Sequence, residues 1–495
     1  MNRRHFLKNC GIGFTGLAFG MLNSRLQAAE RKPNILFIMA DDLDKEWISC
    51  YGSEEIETPN IDRLAASGMQ FENAYSMPQC TPSRATLLTG QYPYNNGWIY
   101  HWDVPRWGAG CHFDWKYYTT FARILRDAGY ATAAAGKWQI NDFRIQPEAM
   151  VRHGFDEYCM WTGGEGGNPK SDIRYRDPYI HTKSGSRTYK GAFGPDLFTD
   201  FLIDFMEQNR DRPLMMYYPM VLPHSPLVST PLDPDAETDV EKHKAMVRYV
   251  DHLVGRLVST LKDLNLRENT IILFTTDNGT SGRFTGTRNG REVRGGKSYS
   301  TENGVNVPFI VNCPGMVPEG VRTNALTDFT DLLPTFADLA GTSIPEDLQI
   351  DGISIADHIL GRADDTDREW ILAMGSHPGA MNEDGRVVPV LEFRDRVIRD
   401  KQYKLYVDIH REGQALFNVA SDPAEEHNLI ESHHPAVKAA LSKFQAVIQA
   451  LPKHDAAPKY DKLPPQSWDV KPEGRWLVEN ARQRMLQREP DWQLR

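Results

Sequence analysis

A mostly parallel α/β sheet flanked by helices, followed by a smaller α+β domain containing an antiparallel sheet, is the architecture this sequence predicts. Three observations carry it. Apolar runs of strand length alternate with segments of helical spacing through the first two-thirds of the chain, the pattern of a doubly wound sheet. Several of those runs are apolar at nearly every position, as in strands buried on both faces. Beyond about residue 365 the alternation gives way to a hairpin-like pair and one helix.

Asn34 to Ala40 is a continuous apolar strand that stops at Asp41-Asp42. Thr58-Pro59-Asn60 opens a short helix through Leu64, closed by Gly68, and Thr119 to Asp127 forms an amphipathic helix ended by Gly129. The strand Tyr130 to Ala135 runs into Gly136-Lys137-Trp138-Gln139, and Leu214 to Val221 leads to Pro223-His224-Ser225-Pro226. A long helix from about Val240 to Leu264 precedes the strand Thr270 to Thr276, which ends in Asp277-Asn278-Gly279. Asp328 to Leu339 is helical. Arg396 to Val407 and Gln414 to Val419 read as an antiparallel pair turning near Arg411-Glu412-Gly413, followed by a helix from about Pro435 to Leu451. Residues 30–364 are thus expected as the main domain and 365–495 as the smaller one.

With 56 Lys and Arg against 66 Asp and Glu, the chain has a formal net charge of −10, which excludes a nucleic-acid coat or a polybasic membrane binder. No run of 18 apolar residues is present, so no conventional membrane span is expected. The first 29 residues contain Arg3-Arg4-His5-Phe6-Leu7-Lys8, an uncharged Gly-rich middle and a small-residue end at Ala28-Ala29. They read as an export signal, and the twin arginine resembles the Tat type, which implies the Tat export machinery as a partner and a periplasmic or secreted location. Its removal would take four cations and no acid, leaving 52 against 66 and a net charge of −14. The six cysteines, at 10, 50, 80, 111, 159 and 313, contain no C-x-x-C pair and form neither a disulfide framework nor a zinc site.

Four predicted strands end in Asp-Asp, Lys, His and Asp-Asn. Ligands of doubly wound sheets bind beyond the carboxyl ends of strands, so these endings converge on the expected site. Cys80-Thr81-Pro82-Ser83-Arg84 sits directly before Ala85 to Gly90, which has helical spacing and a glycine stop. Cys80 therefore starts a helix, where free N–H groups favour an anion. The stretch from Tyr92 to Tyr118 is dense in aromatics. There Trp98 and Trp102, with His101 between them, are candidate substrate contacts, joined by Trp138 beside Lys137. Gly282 to Gly296 holds four arginines, of which Arg288 and Arg291 are candidates for gripping further anionic groups.

The string C-x-P-S-R followed by Leu88-Thr89-Gly90 resembles the signature of the type I, formylglycine-dependent sulfatases of the alkaline-phosphatase-like superfamily. The resemblance runs through the main domain, from Pro33-Asn34-Ile35 to Pro308-Phe309-Ile310-Val311, and includes Lys297, Glu302, Gly304 and Val307-Pro308 at the family's spacing. It implies that Cys80 is oxidised by a formylglycine-generating maturation enzyme. It also implies a Ca²⁺ held by Asp41, Asp42, Asp277, Asn278 and residue 80, an oxygen-rich set suited to a hard cation. By the same resemblance Arg84, Lys137 and Lys297 gather the sulfate oxygens, Asp277 is the candidate general base, and His224, helped by Lys297, protonates or stabilises the departing alcohol oxygen. The expected substrate is a sulfated saccharide.

One position departs from the pattern. Where the family usually has Gly-Lys-x-His, this chain has Gln139, which exchanges hydrogen bonds but takes no proton. Two alternatives to a hydrolytic sulfatase follow. One is a phosphonate or phosphodiester hydrolase of the same superfamily, which Asn278 disfavours because those enzymes typically carry His there. The other is a noncatalytic homologue that binds sulfated glycans.

Overall fold

The computed structural model describes residues 32–99, 110–161, 174–376, 379–467 and 477–494. The export signal, His101 and Trp102 lie outside them. Among the described residues, twelve strands precede the C-terminal region: β1 Asn34–Ala40, β2 Met69–Tyr75, β3 Ala131–Lys137, β4 Glu157–Trp161, β5 Tyr179–Thr182, β6 Gly185–Thr188, β7 Leu214–Pro219, β8 Thr270–Thr276, β9 Thr285–Arg288, β10 Arg291–Arg294, β11 Phe309–Asn312 and β12 Val321–Asp328. Ten of them form one sheet in the order β12-β2-β11-β8-β1-β7-β3-β4-β5-β6, while β9 and β10 make a separate hairpin. In the large sheet, β8-β1-β7-β3-β4 is an unbroken parallel block, and β11 and β5 are paired antiparallel to their neighbours.

The apolar runs become central strands because both faces are covered. Ile35, Phe37 and Met39 of β1 enter one core with the helices Cys80–Thr89, Phe121–Asp127 and Leu332–Leu339. Leu36, Ile38 and Ala40 enter the other, with the helices Pro59–Ala66, Gly194–Asn209 and Asp239–Asp263. The period-2 alternation of side chains thus divides one strand between two layers. Local signals set the helix starts. Pro59 occupies the first turn of its helix, and Thr120 caps the helix Phe121–Asp127 by accepting from the Arg123 N–H. Thr238 and Glu241 form a capping box at the start of the long helix.

The C-terminal region adds β13 Ile371–Met374, β14 Ala380–Met381, β15 Val387–Val388, β16 Arg396–Arg399, β17 Lys404–Val407 and β18 Gly413–Phe417. An antiparallel sheet in the order β13-β16-β17-β18 packs with the helix Pro435–Ala450. The expected single strand from Arg396 to Val407 is two strands. The chain turns at Asp400, whose carboxylate accepts the Gln402 and Tyr403 N–H groups, a local bond that competes with the ladder. Ile371, Leu405, Phe417 and Phe444 belong to the same apolar cluster as Phe37 and Phe336, so the core is continuous across residue 365. No helix among the described residues is long and apolar enough to cross a membrane.

Candidate active site

The strands β8, β1, β7 and β3 are neighbours, so the four polar strand ends meet at one edge of the sheet. Asp41 and Asp42 follow β1, Asp277 and Asn278 follow β8, Lys137 closes β3, and His224 lies five residues beyond β7. Gly136 makes the approach possible. It has φ +120°, and a Cβ there would lie 2.0 Å from the Pro219 carbonyl oxygen of β7. The helix Cys80–Thr89 points its first residue into the same space, its Ser83 hydroxyl donating to the Asp277 carbonyl at 2.6 Å.

Ligand atoms of Asp41, Cys80 and Asp277 lie within 4.8 Å of one another, as do those of Asp41, Asp42 and His224. Cations surround them. Lys137 Nζ donates to both Asp41 oxygens at 2.7 and 3.0 Å, and Arg84 donates to Asp277 Oδ2 at 2.8 Å and to the Lys137 carbonyl at 2.8 Å. Lys297 pairs with Asp42, whose other oxygen accepts the Asn278 amide at 2.8 Å. His224 Nε2 sits 3.6 Å from Asp42, while Nδ1 lies 2.7 Å from the Ser225 carbonyl oxygen.

Burial pushes against charge throughout this cluster, and the neighbours decide each outcome. For Asp41, burial is outweighed by Lys137, His224, Arg84 and Lys297, which hold the carboxyl well below the usual range. Asp42 is also lowered, with Lys297 as the main attraction against burial. Asp277 goes the other way. Burial and the nearby Asp41 charge push it well above the ordinary carboxylate range despite Arg84. Burial takes His224 down to about 3, so the ring is neutral at pH 7. Lys297 stays charged because Asp42 offsets its burial.

The donor set fits a hard divalent cation. Asp41, Asp42 and Asp277 supply carboxylate oxygens, and Asn278 Oδ1 is buried with no hydrogen-bond partner among the described residues. An orphaned buried carbonyl is costly unless a cation or donor satisfies it.

A family model for sulfatases matches residues 33–342, and a second, for the C-terminal part of N-sulphoglucosamine sulphohydrolase, matches residues 296–451. The chain belongs to the sulfatase family, whose members are sulfuric ester hydrolases. An arylsulfatase of Hemicentrotus pulcherrimus is 32% identical over 354 residues, 66% of this chain and 62% of that protein. Human arylsulfatase A is 30% identical, the match covering 84% of this chain and 82% of that one. Among solved structures, Ps i-CgsB has 27% identity and a TM-score of 0.72, covering 87% of this chain and 95% of that chain. It has also been solved with k-i-k-neocarrahexaose.

The structure of this sulfatase gathers Asp41, Asp42, Cys80, Arg84, Lys137, His224, Asp277, Asn278 and Lys297. Gln139 follows Lys137 by two residues, buried and at φ +74°, a left-handed conformation that Gln rarely adopts. The candidate saccharide contacts fare differently. Trp98 and Trp138 are inside the core, where Trp98 packs edge-on to Phe113 and Trp138 packs on His153 and donates to Asn141 at 2.9 Å. Large apolar rings are drawn to the interior irrespective of their distance from a site, and neither ring is exposed. In the arginine-bearing loop, Arg283 pairs with Asp239, Arg294 donates to the Gly282 carbonyl, and Arg288 lies near the buried carboxyl groups of Asp44 and Glu46. Arg291 is exposed at the start of β10. Cys50, Cys111, Cys159 and Cys313 are free thiols.

Sequence reasoning missed Arg174. Its guanidinium stacks on Trp161 at 3.8 Å, approaches His224 Nδ1 at 3.2 Å and lies 3.7 Å from Asp41. Nothing in the local sequence marks it, since it precedes no recognisable strand end and belongs to no motif.

Proposed function

We propose that this sulfatase removes sulfate esters from a sulfated carbohydrate after export through the twin-arginine route, placing it in the periplasm or outside the cell. The observation that carries the reading is Cys80 at a helix start, within 4.8 Å of Asp41 and Asp277 and inside a ring of Arg84, Lys137 and Lys297. The saccharide class is supported by relatives such as an N-acetylgalactosamine-6-sulfatase of Canis lupus familiaris, 31% identical over 67% of each chain. The twin arginine supports the export route.

Asp41, Asp42, Asp277 and Asn278 would hold Ca²⁺, which when bound supplies positive charge for the sulfate oxygens. Oxidation of Cys80 to formylglycine supplies a hydrated aldehyde as nucleophile in place of a thiol. The chain's own groups do the rest. Arg84, Lys137 and Lys297 present fixed donors to a tetrahedral oxyanion, the first two from buried positions, where such donors act more strongly than in water. Asp277, whose carboxylate lies within 4.8 Å of Cys80, is the group placed to accept a proton from the attacking hydroxyl. His224 lies beside Asp42 and Lys297; with Nδ1 facing the Ser225 carbonyl, Nε2 of the neutral ring carries no proton, so it serves the leaving oxygen only together with the charged Lys297. Gln139 provides a hydrogen bond and no proton, so collapse to release sulfate must use another acceptor.

The test joins mass spectrometry of the peptide containing residue 80 with sulfate release from a panel of sulfated saccharides. Expected are an aldehyde at residue 80, Ca²⁺-dependent release, and loss of at least about 10³-fold in Cys80→Ala. An unmodified thiol in enzyme from the native host, with glycan affinity but no release, would establish the noncatalytic alternative. Turnover of phosphodiesters alone would establish the other.

A further inference from the structure

We infer that Arg174 reads a second anionic substituent, a sulfate or carboxylate, on the sugar that carries the scissile ester or on its neighbour. This rests on the saccharide reading above and adds a specificity residue to it.

The argument starts from pairing. Each of the other site cations has a direct carboxylate partner: Arg84 on Asp277, Lys137 on Asp41, and Lys297 on Asp42. Arg174 has none within hydrogen-bond distance among the described residues. Its nearest carboxylate, Asp41, is 3.7 Å away and already accepts Lys137 with both oxygens. Yet the residue is only 8% exposed, and its Nε is buried without a hydrogen-bond partner. A desolvated guanidinium left this way is expensive, and an anion presented to its planar fork removes the cost.

Placement indicates which anion. Arg174 lies 3.2 Å from Nδ1 of His224, the residue assigned above to the leaving oxygen, and 3.7 Å from Asp41, whose two oxygens Lys137 already occupies. An anion that meets its fork beside His224 belongs to the alcohol part of the substrate. The Trp161 ring under the guanidinium holds its plane in place, so the fork is presented ready-made. Tyr175, the next residue, donates at 2.6 Å to the Val221 carbonyl and also to that of His224, tying this strand of chain to the His224 loop.

The experiment compares two saccharides of one backbone, the first bearing only the scissile sulfate and the second an added adjacent sulfate or carboxylate. Wild type and the variants Arg174→Gln and Arg174→Lys are compared by the ratio of kcat/KM for the two. Affinities for both sugars are also measured by calorimetry on Cys80→Ser, alone and combined with Arg174→Gln. The expected ratio favours the doubly anionic sugar by about tenfold or more, falls towards one in Arg174→Gln, and is partly kept in Arg174→Lys. Thermal melting establishes that each variant is folded, and Arg174→Lys carries the test if Arg174→Gln is not. An unchanged ratio in Arg174→Gln, equal losses on both sugars, or no preference in wild type would overturn the assignment. A wild type that releases no sulfate from any saccharide sinks the broader reading instead, and the Cys80→Ser affinities still decide the role of Arg174.

Discussion

Asn278 divides its amide between two duties. Nδ2 donates to Asp42 and to the Gly279 carbonyl, at 2.8 and 2.9 Å, and this fixes the plane that leaves Oδ1 buried and unsatisfied. Asn278→Ala removes that oxygen without altering charge. Ca²⁺ affinity, followed by calorimetric titration, should fall at least about tenfold with the fold intact. Glu302 is a different case. The resemblance to the family marked it by spacing, and the structure places it away from the metal donors, where it pairs with Arg399 and with Lys404 at 3.3 Å and accepts from Tyr75. Burial opposes its charge, but Arg399 and Lys404 outweigh burial and bring it from 4.5 to about 2. A carboxyl depressed on folding stabilises above its unfolded value and loses that contribution as pH falls through the folded one. The acid limb of stability between about pH 4.5 and pH 2 should therefore flatten in Glu302→Gln. At neutral pH the same variant should lose about 3 kcal/mol, since Arg399 is left without its carboxylate while Lys404 keeps Glu425 at 3.0 Å.

Among the elements, the junction of β3 and β7 is the most exacting. Their registered pairing runs from Ala131↔Leu214 to Ala134↔Tyr217, after which Gly136 admits the Pro219 carbonyl where a side chain would stand. Gly136→Ala adds both a positive-φ strain and a backbone collision. It should cost at least about 3 kcal/mol by chemical denaturation and displace Lys137 from Asp41. The strands β1, β3, β7 and β8 were legible because full burial writes an uninterrupted apolar run, and the helices because caps and periodicity are local. Short peripheral strands such as β5, with a polar sequence and antiparallel pairing, carry no such signal. The strand from Arg396 failed for a related reason, because the bond from Asp400 that breaks it is invisible to a pattern of apolar residues.

Across the whole molecule, the C-terminal region is held by shared core and by charge. The segment after the helix Pro435–Ala450 crosses back over the main domain. There Ala456 N–H donates to the Tyr94 carbonyl at 2.9 Å, Lys459 N–H to the Tyr118 hydroxyl at 2.8 Å and Asp461 N–H to Asp114 at 2.9 Å. Gly97 lets this strap approach, since a Cβ there would meet Ala457 at 2.2 Å. A chain ended at residue 364 would uncover the face of Phe336 and Leu333 that packs in the common cluster. It should be recovered unfolded or aggregated, and the full chain should unfold in one cooperative transition by calorimetry.

The sequence by itself determined the parallel block and the helix that begins at Cys80, because apolar runs and a helix start are local patterns, and strand ends marked Asp41, Asp42, Lys137, Asp277 and Asn278; Cys80, Arg84, His224 and Lys297 were singled out with the help of the family resemblance. It also separated overall charge from local charge, since an acidic chain must attract a sulfated substrate through a few fixed cations. Only the tertiary structure decided which aromatics are core and which arginines are already paired, because burial and pairing depend on neighbours distant in sequence. The same dependence brought Arg174 to His224. Its place there follows from stacking on Trp161 and from the path of the chain between β4 and β5, neither of which has a local signature.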